Sequence, residues 1–239
     1  MGDLDSFTAQ YLPRAATEIE NDLILNWYPG RIGSRILRCD ALLELGLGHG
    51  FTATWFGRYC SRHVIIEGSS KIIELFQGNH PDFSGTVVHD YFETFETPER
   101  FDCIVMGFIL EHVDDPDFVL ERYKKFLKPG GVMYVAVPNA KSLNRRLGLE
   151  LGIIHDIYDL NPNDKALGHK RQFCRDLWRE LLFRHGYTIT YEEGMYLKPL
   201  PLGVLKTLPD FKANLEAMLR VGVDYPDLCV ALLMEVKVR

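Results

Sequence analysis

Seven consecutive residues, Glu44-Leu45-Gly46-Leu47-Gly48-His49-Gly50, carry the densest chemical signal in this 239-residue chain. They stand where the apolar run Ala41-Leu42-Leu43-Glu44-Leu45 hands over to helical spacing from Phe51 onward. Glycines at such a junction let the backbone turn sharply and approach a ligand with no Cβ in between. The first turn of the helix beyond offers unpaired N–H groups to a polar ligand. The spacing is G-x-G-x-G rather than the G-x-G-x-x-G of dinucleotide sites, and Phe51 fills the place of the last small residue. Two acids follow at the ends of the next two apolar runs. Glu67 closes Val64-Ile65-Ile66, where a carboxylate accepts both hydroxyls of a ribose. Asp90 follows Thr86-Val87-Val88-His89 and precedes Tyr91 and Phe92, an arrangement suited to an adenine amino group with the ring packed alongside. Taken singly, the loop is a turn and each acid a solvent-facing strand end. Together they put ligand groups at three successive strand ends, the edge where open α/β sheets bind.

A second group sits later in the chain. His169, in Leu167-Gly168-His169-Lys170-Arg171, is the first choice for a general base or acceptor-positioning group, because histidine titrates in the useful range. The plainer reading is a helix-entry or surface histidine. His112 follows the fourth strand, with loop structuring as its alternative role. Arg145 and Arg146 suit a phosphate or carboxylate on an acceptor, while Tyr158, Tyr196 and Trp178 suit the wall of an acceptor pocket or the core. Glu111, Asp114, Asp115 and Asp117 have the chemistry of a hard-metal site, but charges at a helix N-terminus explain them equally, and no metal is expected.

These residues need a scaffold of alternating elements. Strands are expected at 41–45, 64–66, 86–89, 101–105 and 132–137, with helices at 51–60 and 71–76. The clearest helix is capped by Asp114 or Asp115, begins at Pro116 and carries Val119, Leu120, Tyr123, Phe126 and Leu127 on one stripe. Lys128-Pro129-Gly130-Gly131 ends it. Continuous apolar strands alternating with helices indicate an α/β class with a mostly parallel sheet covered on both faces. Residues 140–170 break the rhythm. Helical spacing resumes with Phe173, Leu177, Leu181 and Leu182, and 187–191 and 229–236 are the last strand candidates, the final one suited to antiparallel insertion.

The ensemble resembles the class I S-adenosylmethionine (SAM)-dependent methyltransferases of the type 11/12 group. The likeness rests on residues 44–50, Glu67, Asp90, Phe101-Asp102-Cys103-Ile104-Val105, Leu110-Glu111-His112-Val113-Asp114-Asp115-Pro116 and Leu127-Lys128-Pro129-Gly130-Gly131. It is close over 35–140 and looser over 165–190. It implies a Rossmann-like, seven-stranded, mostly parallel sheet with a reversed last strand, and SAM lying across the strand ends. Glu44, Gly46, Gly48, His49, Gly50 and Phe51 would then address the methionine end. Glu67, with Gly68 and Ser69, would take the ribose, Asp90, Tyr91 and Phe92 the adenine, and Gly107 and Phe108 would approach the methionine part. His49 replaces the commoner Thr or Ser. Gly-His-Lys-Arg at 168–171 resembles a Gly-His-Arg-Arg segment of type 12 relatives, which implies a lid after strand five. Met106-Gly107-Phe108-Ile109 departs from the Asn/Asp-Pro-Pro-aromatic sequence of amino methyltransferases of adenine or glutamine, and no Pro-Cys nucleophile stands there for cytosine C5 chemistry.

The expected organisation is one domain: an N-terminal helical cover at 1–34, a SAM-binding core at 35–140, a lid and acceptor insertion at 141–170, and closing helices and strands at 171–239. The expected activity is methyl transfer to an oxygen, in preference to a nitrogen, of a small molecule such as a sugar, glycan precursor or natural-product intermediate. The product would be S-adenosylhomocysteine. A SAM-binding protein without transfer activity and an NAD-dependent oxidoreductase are the alternatives. Composition agrees with a globular domain: 46% hydrophobic, 25% charged, net charge −6. The acidic excess argues against a nucleic-acid partner. Residues 141–184 are locally basic, with nine basic and six acidic residues, which solvated helix faces explain as well as an anion site does. Five scattered cysteines without a C-x-x-C pair argue against disulfides or structural zinc and fit a reducing cytoplasm. The start, Met1 to Asp5, lacks the apolar segment of a signal peptide, and Gly2 with Ser6 makes only a short myristoylation match. No apolar run approaches the ~20 residues of a membrane span. The expected partner is a small-molecule acceptor, with the chain a monomer or homodimer.

Overall fold

The computed structural model describes residues 4–5, 18–36 and 39–239. The Gly2–Ser6 match and most of the acidic start lie outside the described residues. After helix α1 (Glu18–Arg35), strands and helices alternate: β1 (Cys39–Leu45), α2 (Phe51–Phe56), β2 (Cys60–Glu67), α3 (Ser70–Asn79), β3 (Thr86–His89), β4 (Phe101–Gly107), α4 (Pro116–Tyr123) and β5 (Leu127–Pro138). Then come α5 (Leu143–Glu150), α6 (Pro162–Ala166), α7 (Arg175–Arg184), β6 (Tyr187–Met195), α8 (Leu202–Leu205), α9 (Phe211–Gly222) and β7 (Ala231–Val238).

The seven strands form one sheet in the order β3-β2-β1-β4-β5-β7-β6. β1 to β5 pair in parallel, and β7 inserts antiparallel between β5 and β6, as expected of the last strand. The central strands are buried on both faces, which is why they read as unbroken apolar runs. On one face α4 and α7 bury Val119, Leu120, Tyr123, Trp178 and Leu182 against Leu43, Leu45, Ile104 and Val135. On the other, α1 and α2 place Tyr28, Ile32 and Phe56 over Leu42, Val105 and Tyr134.

Two of the boundaries that differ from the sequence reading have their reason in strand pairing. The helix expected over 51–60 ends at Phe56, because Cys60 already pairs with Cys39 as the first register position of β2 against β1. The helix expected to run to Lys128-Pro129-Gly130-Gly131 ends at Tyr123 instead, Lys124–Phe126 form a single 3-10 turn, and the glycine pair lies within β5. β5 starts at Leu127, opposite Phe101, and its register shifts before Cys103 pairs with Val132. Gly130, at φ 78°, lies within that irregular stretch.

Residues 141–170 hold α5 and α6, and α6 opens with a capping box in which Asn161 and Asp164 satisfy each other's backbone N–H groups. The stretch returns to the loop after β4. The Lys170 N–H donates to the Glu111 carbonyl (2.8 Å), and the Arg171 guanidinium donates to the carbonyls of Leu110, Val113 and Asp114. The local basic excess goes largely into ion pairs, with Lys170 on Asp114, Arg175 and Arg179 on Glu192, and Arg184 on Asp117. All five cysteines are free. Among the described residues no helix is long and apolar enough to cross a membrane.

Candidate active site

The carboxyl ends of β1, β2, β3 and β4 bring the glycine loop and the acids to one edge. The loop turns through left-handed glycines, Gly46 at φ 86°, Gly48 at 50° and Gly50 at 79°. It is closed by the Gly50 N–H on the Leu47 carbonyl, 2.8 Å. Gly50 is the position where no other residue fits. It is the N-cap of α2, and a Cβ there would lie 2.7 Å from Cδ2 of Phe76.

Glu67 is buried, and its two oxygens are oriented by the chain itself. Oε2 accepts the Leu47 N–H (3.0 Å) and Oε1 accepts the Ser69 N–H (2.8 Å). Each oxygen keeps a further lone pair for a ligand hydroxyl. Burial raises its pKa, and the backbone N–H groups of Leu47, Ser69 and Gly68 oppose that rise. Ser69 also caps α3, accepting from the Ile72 N–H, and its hydroxyl donates to Asp5 (2.6 Å). A Cβ on Gly68 would meet Leu4 and Tyr91, so residues 4–5 cover this end of the site. Asp90 ends β3. It accepts from the Tyr91 N–H (2.8 Å) and the Thr94 hydroxyl (2.5 Å). Phe92 packs against the main core and also reaches the glycine loop, its Cζ 3.8 Å from the Cβ position of Gly46.

Glu44 stands one residue before the end of β1. It is 2% exposed and accepts the Thr52 hydroxyl, and its other oxygen lies 2.9 Å from His63 Nε2, out of line for a hydrogen bond. Thr52, on the first turn of α2, is thereby tied to the end of β1. His49 stacks parallel to Phe51, ring centroids 5.9 Å apart. Gly107 ends β4, and a Cβ there would overlap the Tyr28 hydroxyl and lie 2.8 Å from its Cζ. Phe108 follows at φ 58°, its N–H on the Ala136 carbonyl and its ring edge-on to Tyr28 at 5.7 Å. Tyr28 had no signal in the sequence. Burial first, then the charges of Glu44 and Glu111, push its phenol well above the ordinary range. That places Tyr28 between the cofactor loop and the second cluster.

That second cluster is Glu111, His112 and His169. The two imidazoles meet edge to face, centroids 4.7 Å apart. Glu111 is 1% exposed, and neither of its carboxylate oxygens has a hydrogen-bond partner. Burial pushes its pKa up to about 7, and burial with the neighbouring His169 lowers His112 to about 4. Nδ1 of His169 faces Asp164 Oδ1 at 3.5 Å. Asp164 was not singled out in the sequence, though its place in the Asn-Pro-Asn-Asp cap is the signal that would have found it.

Four expected acceptor contacts are spent elsewhere. Arg145 donates to the carbonyls of Ile157 and Asp159, and Arg146 to those of Lys141 and Asp227, through Nε and Nη2 of each guanidinium. Tyr196 is fully buried among Leu205, Leu215 and Leu219, with its hydroxyl on Glu20 (3.1 Å). The Tyr158 hydroxyl donates to Cys174 Sγ (3.3 Å). Trp178 is likewise a core residue. Of the acids after His112, Asp115 caps α4, Asp114 pairs with Lys170, and Asp117 meets Arg184 and His185.

The family model described as "Methyltransferase domain" matches residues 6–192. The chain belongs to that family. It is 34% identical over 124 residues to a ubiquinone biosynthesis O-methyltransferase of Chelativorans sp. (strain BNC1), covering 50% of this chain and 47% of that protein. It is 29% identical over 177 residues to the same-named protein of Nitrobacter winogradskyi, covering 70% and 64%. The chain thus spans about half to two thirds of these curated relatives. The N-methyltransferase NodS from Bradyrhizobium japonicum WM9, solved with S-adenosylhomocysteine, superposes with a TM-score of 0.59 at 13% identity over 99% of this chain and 98% of that one. Family and fold together make SAM the cofactor of this methyltransferase, and the residues fit it. The loop turns through three left-handed glycines at the end of β1, and Glu67 presents two oriented oxygens.

Proposed function

We propose that this methyltransferase acts on an oxygen of a small-molecule acceptor, held at Glu111, His112 and His169. The observation that carries the reading is a buried carboxylate with two unpartnered oxygens beside two imidazoles, on the loop that follows Gly107. Polar groups buried without partners are expensive unless a ligand or ion satisfies them. Here they stand at the sheet edge that also holds the cofactor loop. SAM, when bound, would supply a sulfonium methyl carbon for in-line attack by the acceptor oxygen, the C–O bond forming as the C–S bond breaks with its electron pair left on sulfur and the hydroxyl proton passing to His169. The chain's own part is mostly alignment. Holding both reactants in attack geometry contributes several kcal/mol of barrier reduction. Glu67 and Asp90 hold the nucleoside end, Gly46 to Gly50 the methionine end, and Tyr28 closes over Gly107. His112 and His169 orient the acceptor hydroxyl. The names of the curated relatives support oxygen as the acceptor atom, and a sugar, glycan precursor or natural-product intermediate suits the site. Residues 141–170 would act as the lid, since they deliver His169 and are fastened to the loop bearing Glu111.

The test is incubation of the purified protein with methyl-labelled SAM and a panel of small hydroxyl compounds. The expected result is label on an oxygen of a small molecule, lost in His169→Ala while S-adenosylhomocysteine still binds. Label on nitrogen alone, or full turnover by His169→Ala, would overturn this reading. Binding of S-adenosylhomocysteine without any transfer would favour a SAM-binding protein instead.

A further inference from the structure

We propose that Glu111, His112 and His169 form a binding site for a divalent transition metal of the zinc class. One donor atom from each residue lies within 4.8 Å of the other two. A fixed cation explains why Glu111 keeps a carboxylate at 1% exposure with no protein partner on either oxygen. The nearby cations do not serve it, since Lys170 goes to Asp114 and Arg171 to three backbone carbonyls.

The surroundings are built as a support for ligands. Nδ1 of His169 faces Asp164 Oδ1 at 3.5 Å, close by but without a hydrogen bond. Asp164 is itself held by the Asn161 N–H (2.9 Å) and by Gln172 Nε2 (3.0 Å). A carboxylate behind a ligating histidine fixes the ring's tautomer and orientation and raises its basicity.

The donor set selects the ion. Two imidazoles and one carboxylate suit zinc, cobalt, nickel or ferrous iron, whereas magnesium and calcium take oxygen ligands. The sequence groups Glu111 with Asp114, Asp115 and Asp117 as a hard-metal set, and the structure separates them. Those three aspartates are committed to Lys170, to the α4 cap, and to Arg184 and His185. Three protein ligands leave a coordination position open, as at catalytic zinc sites. An acceptor hydroxyl bound there would give up its proton more readily and attack as the stronger nucleophile. That use rests on the acceptor reading above; the metal site itself does not.

The test reads metal rather than turnover. The full chain is stripped with chelator, dialysed against Zn²⁺, and its metal content measured; Co²⁺ then serves as a spectroscopic probe. The expected result is about one ion per chain and visible absorption bands from bound Co²⁺. Glu111→Gln and His169→Ala should each abolish both signals, and Asp164→Asn should weaken affinity about 10- to 100-fold. Binding of S-adenosylhomocysteine by each variant confirms that it folds. No uptake by the wild type, or uptake unchanged in folded Glu111→Gln and His169→Ala, would overturn the proposal.

Discussion

Gly50→Ala tests the loop geometry in energetic terms. The substitution meets two obstacles in the structure. First, φ is 79°, where an L-residue costs about 1–2 kcal/mol. Second, the new Cβ would lie 2.7 Å from Cδ2 and 3.1 Å from Cε2 of Phe76. Phe76 is 5% exposed and wedged against Phe83 and His80, so its ring has little room to retreat. Overpacking of that kind costs roughly 1–3 kcal/mol. The sum is about 2–5 kcal/mol, a large share of the ~5–15 kcal/mol that holds a domain folded. Gly130→Ala isolates the first part, because Gly130 has φ 78° and nothing within 4 Å of its Cβ position. Urea denaturation of both variants should place Gly50→Ala well below Gly130→Ala in midpoint at a common slope. Phe76→Leu should restore part of the loss in the Gly50→Ala background and not in the Gly130→Ala background. Equal losses for the two glycine variants would refute the reasoning.

Two further outcomes are expected. Gly107→Ala should force the buried Tyr28 ring off its seat, lowering stability by about 1–3 kcal/mol and weakening S-adenosylhomocysteine in calorimetry. Unchanged melting and binding would show that Tyr28 yields freely. Asp102 joins three strands, accepting from the Ala41 N–H (2.8 Å) and Lys128 Nζ (2.8 Å). Burial alone would raise its pKa, but those bonds hold it below the ordinary value of 3.8. Its stabilisation is therefore present above the unfolded pKa and lost as pH falls through the lower, folded one. Asp102→Asn should flatten the acid limb of the stability curve, and an unaltered limb would count against this clamp.

The fold was legible in the sequence because its strands announce themselves. A strand buried on both faces has no polar alternation, so the buried parts of β1, β2, β4 and β5 stand out as apolar runs. The glycine loop and Glu67 stand out because each marks the end of such a run, and Asp90 because it follows the short β-branched run of β3. Tyr28 was not, because its neighbours Glu44, Gly107 and Glu111 are distant in sequence and meet it only through the packing of α1. The backbone partners of the arginines were hidden for a related reason. Arg145 and Arg146 look like an anion clamp in sequence, yet the irregular stretch around them leaves carbonyls that need donors, and the guanidiniums fill that need. Glu111 read as one of four helix-end acids, and only its burial separates it from the other three.

Titration calorimetry of S-adenosylhomocysteine into the wild type and Glu67→Ala tests most directly that the glycine loop and the β2 carboxylate hold the cofactor. The account predicts one site per chain in the wild type. Hydrogen bonds to a charged group are worth about 1.5–3 kcal/mol, so Glu67→Ala should bind roughly 10- to 100-fold more weakly. No binding by the wild type, or equal affinity in the two proteins, would contradict it.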